Sequence, residues 1–271
     1  MKTSSTFEHD IEMIYHEPFV RSETKYWSDG YTKNENVLMI ASSRGNLDLV
    51  KYLVENGTII HHATVLAAVE KNHFDIILYF KQTRQLFLLL KGNVGTHYEL
   101  YMLSFVVKFA MEFNDTRILA LLLSEGLRVH QYDNHRINTL YLIFKEYEKI
   151  DPQPSQNILE EILELLINHG GSLNYILSSD DSERSPLSIA ISRIPKIISF
   201  LLEQGAEMNE YHFVLAAKKN MFDLVKLYVE KYPFDVTGTN FGRKAIMETS
   251  SREITDYLLS KGVTFDKNDF W

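Results

Sequence analysis

The chain has 271 residues, no cysteine, 12 glycines and 6 prolines, and 45% of its residues are hydrophobic. A chain of this size and composition can bury a sizeable core, which excludes general disorder. Because cysteine is absent, disulfide frameworks, thiolate metal cages, iron–sulfur clusters and cysteine nucleophiles are excluded as well. The formal net charge of -8 opposes general binding to nucleic acid or anionic lipid.

The N-terminal segment carries acidic residues where a secretory signal would need an apolar run of about 7 to 15 residues. The densest apolar run lies between Leu86 and Leu90, far short of the roughly 20 residues that cross a bilayer. We therefore expect a soluble protein without membrane insertion. The simplest location for such a chain is the cytoplasm, which is a reducing compartment.

Residues 1–35 are rich in aromatic and apolar side chains, among them Phe7, Ile11, Tyr15 and Trp27. Such a segment can cover the apolar flank of whatever repeat follows it, which is what the terminal segment of a repeat array has to do. We expect residues 1–35 to form a divergent N-terminal helical cap. At the other end, the tail from Phe265 to Trp271 is expected to fold back over the last repeat.

From residue 36 onward one pattern recurs: an apolar helical segment, then glycine, two variable residues, an apolar residue and a small polar residue or histidine. Its glycines are Gly57, Gly126, Gly170, Gly205 and Gly262. Glycine at this place can take the left-handed conformation that ends a helix. A shorter helical stretch precedes each apolar segment, separated from it by a turn such as Gly45-Asn46. The repeating unit is therefore helix, tight turn, helix and glycine stop.

The first helices recur on average about every 34 residues, close to both the 33-residue ankyrin and the 34-residue tetratricopeptide periods. They align on one small or apolar position, occupied by Ala41, Ala68, Ala110, Phe144, Ala190, Ala216 and Ala245. The two longest steps place insertions near residues 86–99 and 148–156. In the fifth unit we expect Pro195 in the inter-helix turn or the first helical turn, where proline is tolerated.

The residue types at the repeat positions distinguish an ankyrin array from a tetratricopeptide array. The segment Ser185-Pro186-Leu187-Ser188-Ile189-Ala190 resembles the ankyrin signature Thr-Pro-Leu-His-x-Ala, and Gly45 to Gly57 is similar to the second helix and glycine stop of that family. The resemblance covers roughly residues 36–266, although a single copy keeps the proline and several loops are too short for a full finger. It implies an all-α fold: an ankyrin-repeat solenoid of about seven helix-turn-helix units with a divergent N-terminal helical cap, the array spanning residues 36–271.

No nucleotide-binding, hydrolase, metalloprotease or kinase motif occurs in the sequence. Ten histidines suggest a metal site, with His61, His62 and His73 as the closest grouping and His130 with His135 as the next. No further ligand stands at a fixed spacing from either group. Because His61 and His130 both close the glycine-stop pattern, we expect them to form hydrogen bonds in loops. The sequence therefore predicts no catalytic residue, no cofactor and no metal.

Charged clusters are interpreted as solvated surface. Residues 150–185 carry 7 acidic residues against one basic residue, in the pair Asp180-Asp181 and on the polar face of a helix around Glu160-Glu161. The densest basic pairs, Lys218-Lys219 and Arg243-Lys244, lack the stacking aromatics that track a nucleic-acid backbone. We expect no nucleic-acid partner.

Stacked repeats leave an extended concave surface for recognition. The ankyrin resemblance implies contacts from finger tips and from the exposed end of each first helix. Phe113 and Tyr147 fall in adjacent units, and if both are exposed they would anchor a partner site centred on residues 112–147; the alternative is that both pack into the core. The predicted partner-binding residues are Arg44, Lys71, Glu112, Phe113, Tyr132, His135, Arg136, Glu146, Tyr147, Arg193, Lys218 and Lys219.

The sequence thus predicts a non-catalytic scaffold that binds a partner protein through its concave ankyrin surface, as a monomer. Its irregular, short repeats resemble those of ankyrin proteins from intracellular bacteria, large DNA viruses and protists, which favours a secreted bacterial effector acting in the host cytoplasm. The alternative is an enzyme with its active site in an inserted loop, at Leu86–Glu99 or Glu148–Glu183, whose solenoid recruits the substrate.

Overall fold

A computed structural model describes residues 4–16, 31–91, 95–130, 139–174, 185–231, 236 and 240–264. Within these ranges the ordered elements are helices, and no strand occurs. The chain divides into two compact units, one of Met1–Asn134 with Lys145–Gly171 and one of His135–Phe144 with Ser172–Trp271. The predicted all-α repeat fold is confirmed.

The first unit is a row of helical pairs. Its helices are α1 Ser4–His16, α2 Lys33–Ser43, α3 Leu47–Glu55, α4 His62–Glu70, α5 Phe74–Gln82, α6 Gln85–Lys91, α7 Gly95–Phe113, α8 Arg117–Glu125 and α10 Gln156–Asn168. Between the last two lies α9, Thr139–Tyr147, whose final residues belong to this unit. First helices pack on first helices, in the order α1, α2, α4 and α7, and second helices on second helices, in the order α3, α5 and α8.

The second unit repeats the arrangement. Its helices are α11 Pro186–Arg193, a 3-10 turn Pro195–Ile197 that leads into α12 Ile198–Glu203, α13 Glu210–Lys218, α14 Phe222–Lys231, α15 Asn240–Glu248 and α16 Arg252–Ser260. The first helices α11, α13 and α15 pack side by side, and α14 packs on α16. Pro195 opens the 3-10 turn, as its position in the sequence predicted.

Interior first helices are buried on more than one side. In α2, every residue from Asn36 to Ser42 is buried, because α1 covers one side and α4 the other. Second helices carry a narrower apolar stripe; in α3 only Leu49, Val50, Leu53 and Val54 are buried. A helix that is apolar around most of its circumference cannot be stable alone, and here its neighbours on both sides stabilise it.

Left-handed residues end the helices at the predicted positions. All five glycines of the repeating pattern have φ between +90° and +113°. The turns between first and second helices use the same conformation at Gly45, but also at Asn72, Asn114 and Asn220. Asparagine is among the few residues that tolerate it. The sequence pattern predicts the glycine stops and does not predict the left-handed asparagines.

Most of the two predicted insertions and part of the predicted N-terminal cap lie within the described residues. The insertion near residues 86–99 contains the short helix α6 and the beginning of α7, which is the longest of the described helices at 19 residues. The insertion near 148–156 is the connection from α9 to α10. Helix α1 packs on α2, and Phe7 stacks on Tyr52 with ring centroids 4.8 Å apart. The other predicted cap residues from 17 to 30 and the tail 265–271 lie outside the described residues.

Candidate partner-binding surface

Hydrogen bonds join the turns of successive repeats in the first unit. They run from the His73 ring to the Ser43 carbonyl (3.0 Å), from the Asn72 amide to the Asp115 carboxylate (3.1 Å) and from the Ser155 hydroxyl to the Asn114 side-chain oxygen (3.0 Å). Each bond links the turn after one first helix to its counterpart in the next repeat. The C-terminal ends of α2, α4 and α7 and the start of α10 are therefore held beside one another.

Five of the predicted residues lie on this edge of the first unit, and we call them the helix-end row: Arg44, Lys71, Glu112, Phe113 and Glu146. The first four are exposed and Glu146 is half-buried. Three of them form local ion pairs: Lys71 with Glu70 (4.0 Å), Glu112 with Lys108 (3.5 Å) and Glu146 with Lys149 (2.5 Å). The geometry therefore brings these residues into one neighbourhood, and Phe113 is the aromatic side chain among them.

Phe113 ends an aromatic ladder along α7. The ladder consists of Tyr101, Phe105, Phe109 and Phe113, one residue per helical turn, with successive ring centroids 6.1, 4.7 and 6.2 Å apart. Its middle is buried or half-buried, whereas Tyr101 and Phe113 are 47% and 44% exposed. Residues four apart on a helix share a face, so the Phe113 ring lies against the Phe109 ring. A pre-ordered, exposed aromatic ring is the kind of group that anchors protein interfaces.

The prediction that Tyr147 is exposed on this surface is wrong. Tyr147 is fully buried, and its hydroxyl donates to the Pro154 carbonyl at 3.3 Å. The reason lies in the spacing of the buried apolar side chains that the structure describes in α9, which are Leu140, Ile143, Phe144 and Tyr147. That spacing is the apolar stripe of a helix facing a core, so Tyr147 continues the buried face. The helix-end row therefore contains one aromatic anchor and not two.

The remaining predicted residues fall in the second unit or outside the described ranges. Arg193, Lys218 and Lys219 are exposed near the ends of α11 and α13. Lys218 forms an ion pair with Glu248 of the next repeat at 2.9 Å. The predicted finger residues Tyr132, His135 and Arg136 lie outside the residues that the structure describes.

The two loop histidines form the hydrogen bonds expected of them. His61 Nε2 lies 2.7 Å from the Glu35 carboxylate and His130 Nε2 lies 2.5 Å from the Glu99 carboxylate, each joining the glycine stop to the first helix of its own repeat. The hydrogen bond from His61 is the main cause that lowers the pKa of Glu35. Within the described ranges, no three histidine or carboxylate residues are grouped so that they could hold a metal ion.

One serine–histidine pair in the second unit resembles a catalytic dyad. Ser185 Oγ lies 2.7 Å from His212 Nε2, and both residues are buried. However, His212 Nδ1 accepts a hydrogen bond from the Asn209 backbone N–H at 3.1 Å. The ring proton therefore resides on Nε2, which donates to the serine oxygen. A general base would have to accept the serine proton there, so this pair has the wrong tautomer for nucleophilic catalysis.

Comparison with known protein families gives a match. The ankyrin repeat family matches residues 33–65, which contain α2, α3 and the start of α4. The chain thus contains an ankyrin repeat, and the helical pairs that follow it are consistent with an ankyrin repeat protein. No curated protein matches the chain. Over the part of the chain that the structure describes, no helix combines the length and apolarity needed to span a bilayer.

Proposed function

We propose that this protein is a non-catalytic scaffold that binds a partner protein through the helix-end row, with Phe113 as the anchor. Ankyrin repeats generally mediate protein–protein interaction, which supplies the class of function. The observation that carries the choice of site is the 44% exposed Phe113 ring, which is the end of the aromatic ladder that lies in the helix-end row. Arg44, Lys71 and Glu112 are exposed along the same edge and supply polar groups of the kind found at the rim of an interface.

The alternative of an inserted active site receives less support. In the insertion near residues 86–99, the described part is largely helical, and the serine–histidine pair that resembles a dyad has its proton on the wrong nitrogen. The finer proposal of a secreted bacterial effector in the host cytoplasm stays a prediction, as does a monomeric state. Its basis is the irregular repeat length.

Site-specific photocrosslinking tests the proposed site with a matched control. We would place a photoreactive phenylalanine analogue at Phe113 or at Leu78, which is 38% exposed on the second helix α5. The two positions differ little in exposure but lie on different helices of their repeats. We expect a discrete crosslinked protein from position 113 and none from position 78. The same experiment in bacterial and eukaryotic lysates tests the effector proposal, which requires a eukaryotic partner.

The affinity of variants for the captured partner then measures how much the Phe113 side chain contributes to binding. Truncating a central aromatic anchor at an interface typically costs about 2 kcal/mol or more, so Phe113→Ala should weaken binding at least about 10-fold. Leu78→Ala should leave binding unchanged, and both variants should keep the melting temperature within about 2 °C. Unchanged affinity of Phe113→Ala, or crosslinks confined to position 78, would contradict the proposal.

A further inference from the structure

His212 uses one ring nitrogen to cap its own helix and the other to contact the preceding repeat of the second unit. It stands at the third position of α13 and is 3% exposed. Its Nδ1 accepts from the Asn209 N–H, while Asn209 Oδ1 accepts from the His212 N–H at 3.2 Å, so that the two residues form a reciprocal cap. On the other side, Nε2–H donates to Ser185 Oγ at 2.7 Å. Ser185 in turn caps α11 by accepting from the Ser188 N–H at 3.1 Å.

The arrangement works only with a neutral ring. A proton on Nδ1 would remove the acceptor for the Asn209 N–H and would place a charge in a nearly closed environment. The cavity beside His212 has a volume of about 190 Å³ and is lined by the apolar side chains of Leu173, Leu187 and Met208 together with small polar groups. Burial is the cause that lowers the pKa of His212 to about 4.

Charged groups on the packed elements do not offset this burial. Around the cavity, within the described ranges, Glu207 is the ionisable group besides His212, and it is exposed. Among the elements packed on α13, α11 and its N-cap supply the hydroxyls of Ser188 and Ser185, α14 carries Tyr228 and Glu230, and α15 carries Arg243. None of these groups contributes to the pKa of His212. Glu183 and Arg184, which precede α11, lie outside the described residues.

We propose that the Ser185–His212–Asn209 contact, which we call the His212 joint, is a pH-sensitive connection between the fifth and sixth repeats that loosens on acidification. The unfolded histidine has a pKa near 6.5, so below that pH the opened state binds a proton that the closed state does not. Stability of the joint is therefore full above pH 6.5 and is lost as the pH falls toward the folded-state value. The joint is a device that acidification would release.

Two histidine contacts in the first unit have a different chemical setting. His61 and His130 each face a carboxylate, that of Glu35 or of Glu99. His212 instead needs a lone pair on Nδ1 for the Asn209 N–H and a proton on Nε2 for the Ser185 hydroxyl. The contact at His212 therefore depends on one tautomer of the neutral ring.

Amide hydrogen exchange at pH 7 and pH 5, corrected for intrinsic rates, tests the joint. With a folded-state pKa of about 4, opening at the Asn209 and Ser188 amides should increase by about 20-fold in the wild type. The control is His212→Gln, because glutamine at this position can accept the same capping bond and does not titrate. We expect less than about 2-fold change in this variant, and none at the Glu35 amide in either protein.

Two results would overturn the proposal: wild-type opening that does not change between pH 7 and pH 5, or an equal increase in His212→Gln. If that variant does not fold, nitrogen NMR of the His212 ring in the wild-type protein tests the proposal, because it reports which ring nitrogens carry a proton. The joint requires a neutral ring protonated on Nε2 at pH 6, and an imidazolium at that pH contradicts it.

Discussion

At the scale of single residues, Gly45 sets how closely the first two described repeats approach. It has φ +72°, and a Cβ built on it would lie 2.6 Å from Cε1 of the His73 ring. That ring donates to the Ser43 carbonyl and so occupies the space that a side chain would need. Gly57, a helix stop with φ +90°, has the same backbone requirement, but nothing lies within 4 Å of its added Cβ. Alanine at Gly57 would therefore cause backbone strain alone, whereas alanine at Gly45 would also clash with the His73 ring.

We therefore predict that Gly45→Ala destabilises the protein more than Gly57→Ala. The left-handed conformation alone should cost each variant about 1 to 2 kcal/mol. Gly45→Ala should lose a further 1 to 2 kcal/mol, on the order of one broken buried hydrogen bond, because the His73 ring must move. Denaturant unfolding of both variants measures the difference. Equal losses would show that His73 yields without cost.

At the scale of elements, some helix caps in the second unit stabilise one helix end, and others also contact the next repeat. Ser251 caps α16 by accepting from the Ile254 N–H at 3.4 Å. Ser185 caps α11 in the same way but also accepts from His212, so it joins two repeats. Removing the Ser185 hydroxyl would leave the buried Nε2–H of His212 without its acceptor, whereas removing that of Ser251 would affect one helix end.

We predict that Ser251→Ala costs about 1 kcal/mol, the usual value for a lost cap. Ser185→Ala should cost about 2 to 4 kcal/mol, since the cap is lost and a buried donor is left unsatisfied. Thermal or urea unfolding at pH 7 gives both values. A similar loss in the two variants would mean that the Ser185–His212 hydrogen bond contributes nothing beyond the cap.

The sequence predicts elements well where one residue type has one physical role. Glycine stops were identified because glycine alone enters the left-handed region at no cost, and Pro195 because proline fits the start of a helical turn. Tyr147 was misplaced although its own stripe of buried residues in α9 was readable, because alignment to the repeat outweighed periodicity. The hydrogen bonds between turns could not be predicted, since asparagine only tolerates the left-handed conformation and its partner lies in another repeat.

At the scale of the whole molecule, packing within each unit joins neighbours in the chain. In the first unit α3 packs on α2 and α5, and α8 packs on α5, α6 and α7. Stability in such an array is close to a sum over repeats and their nearest interfaces. A local loss should therefore stay local, which is a property that a single cooperative core would not have.

We predict that Leu49→Ala loosens one end of the first unit and spares the other. Leu49 is fully buried in α3, and its truncation should cost about 2 to 5 kcal/mol. Amide exchange should rise most in α2 to α5 and should fade toward α8 and α10. Leu119→Ala is the matched control, because Leu119 is equally buried in α8, and its effect should instead centre on α5, α7 and α8. Equal exchange increases from α2 through α10 in both variants would contradict nearest-neighbour packing as the source of stability.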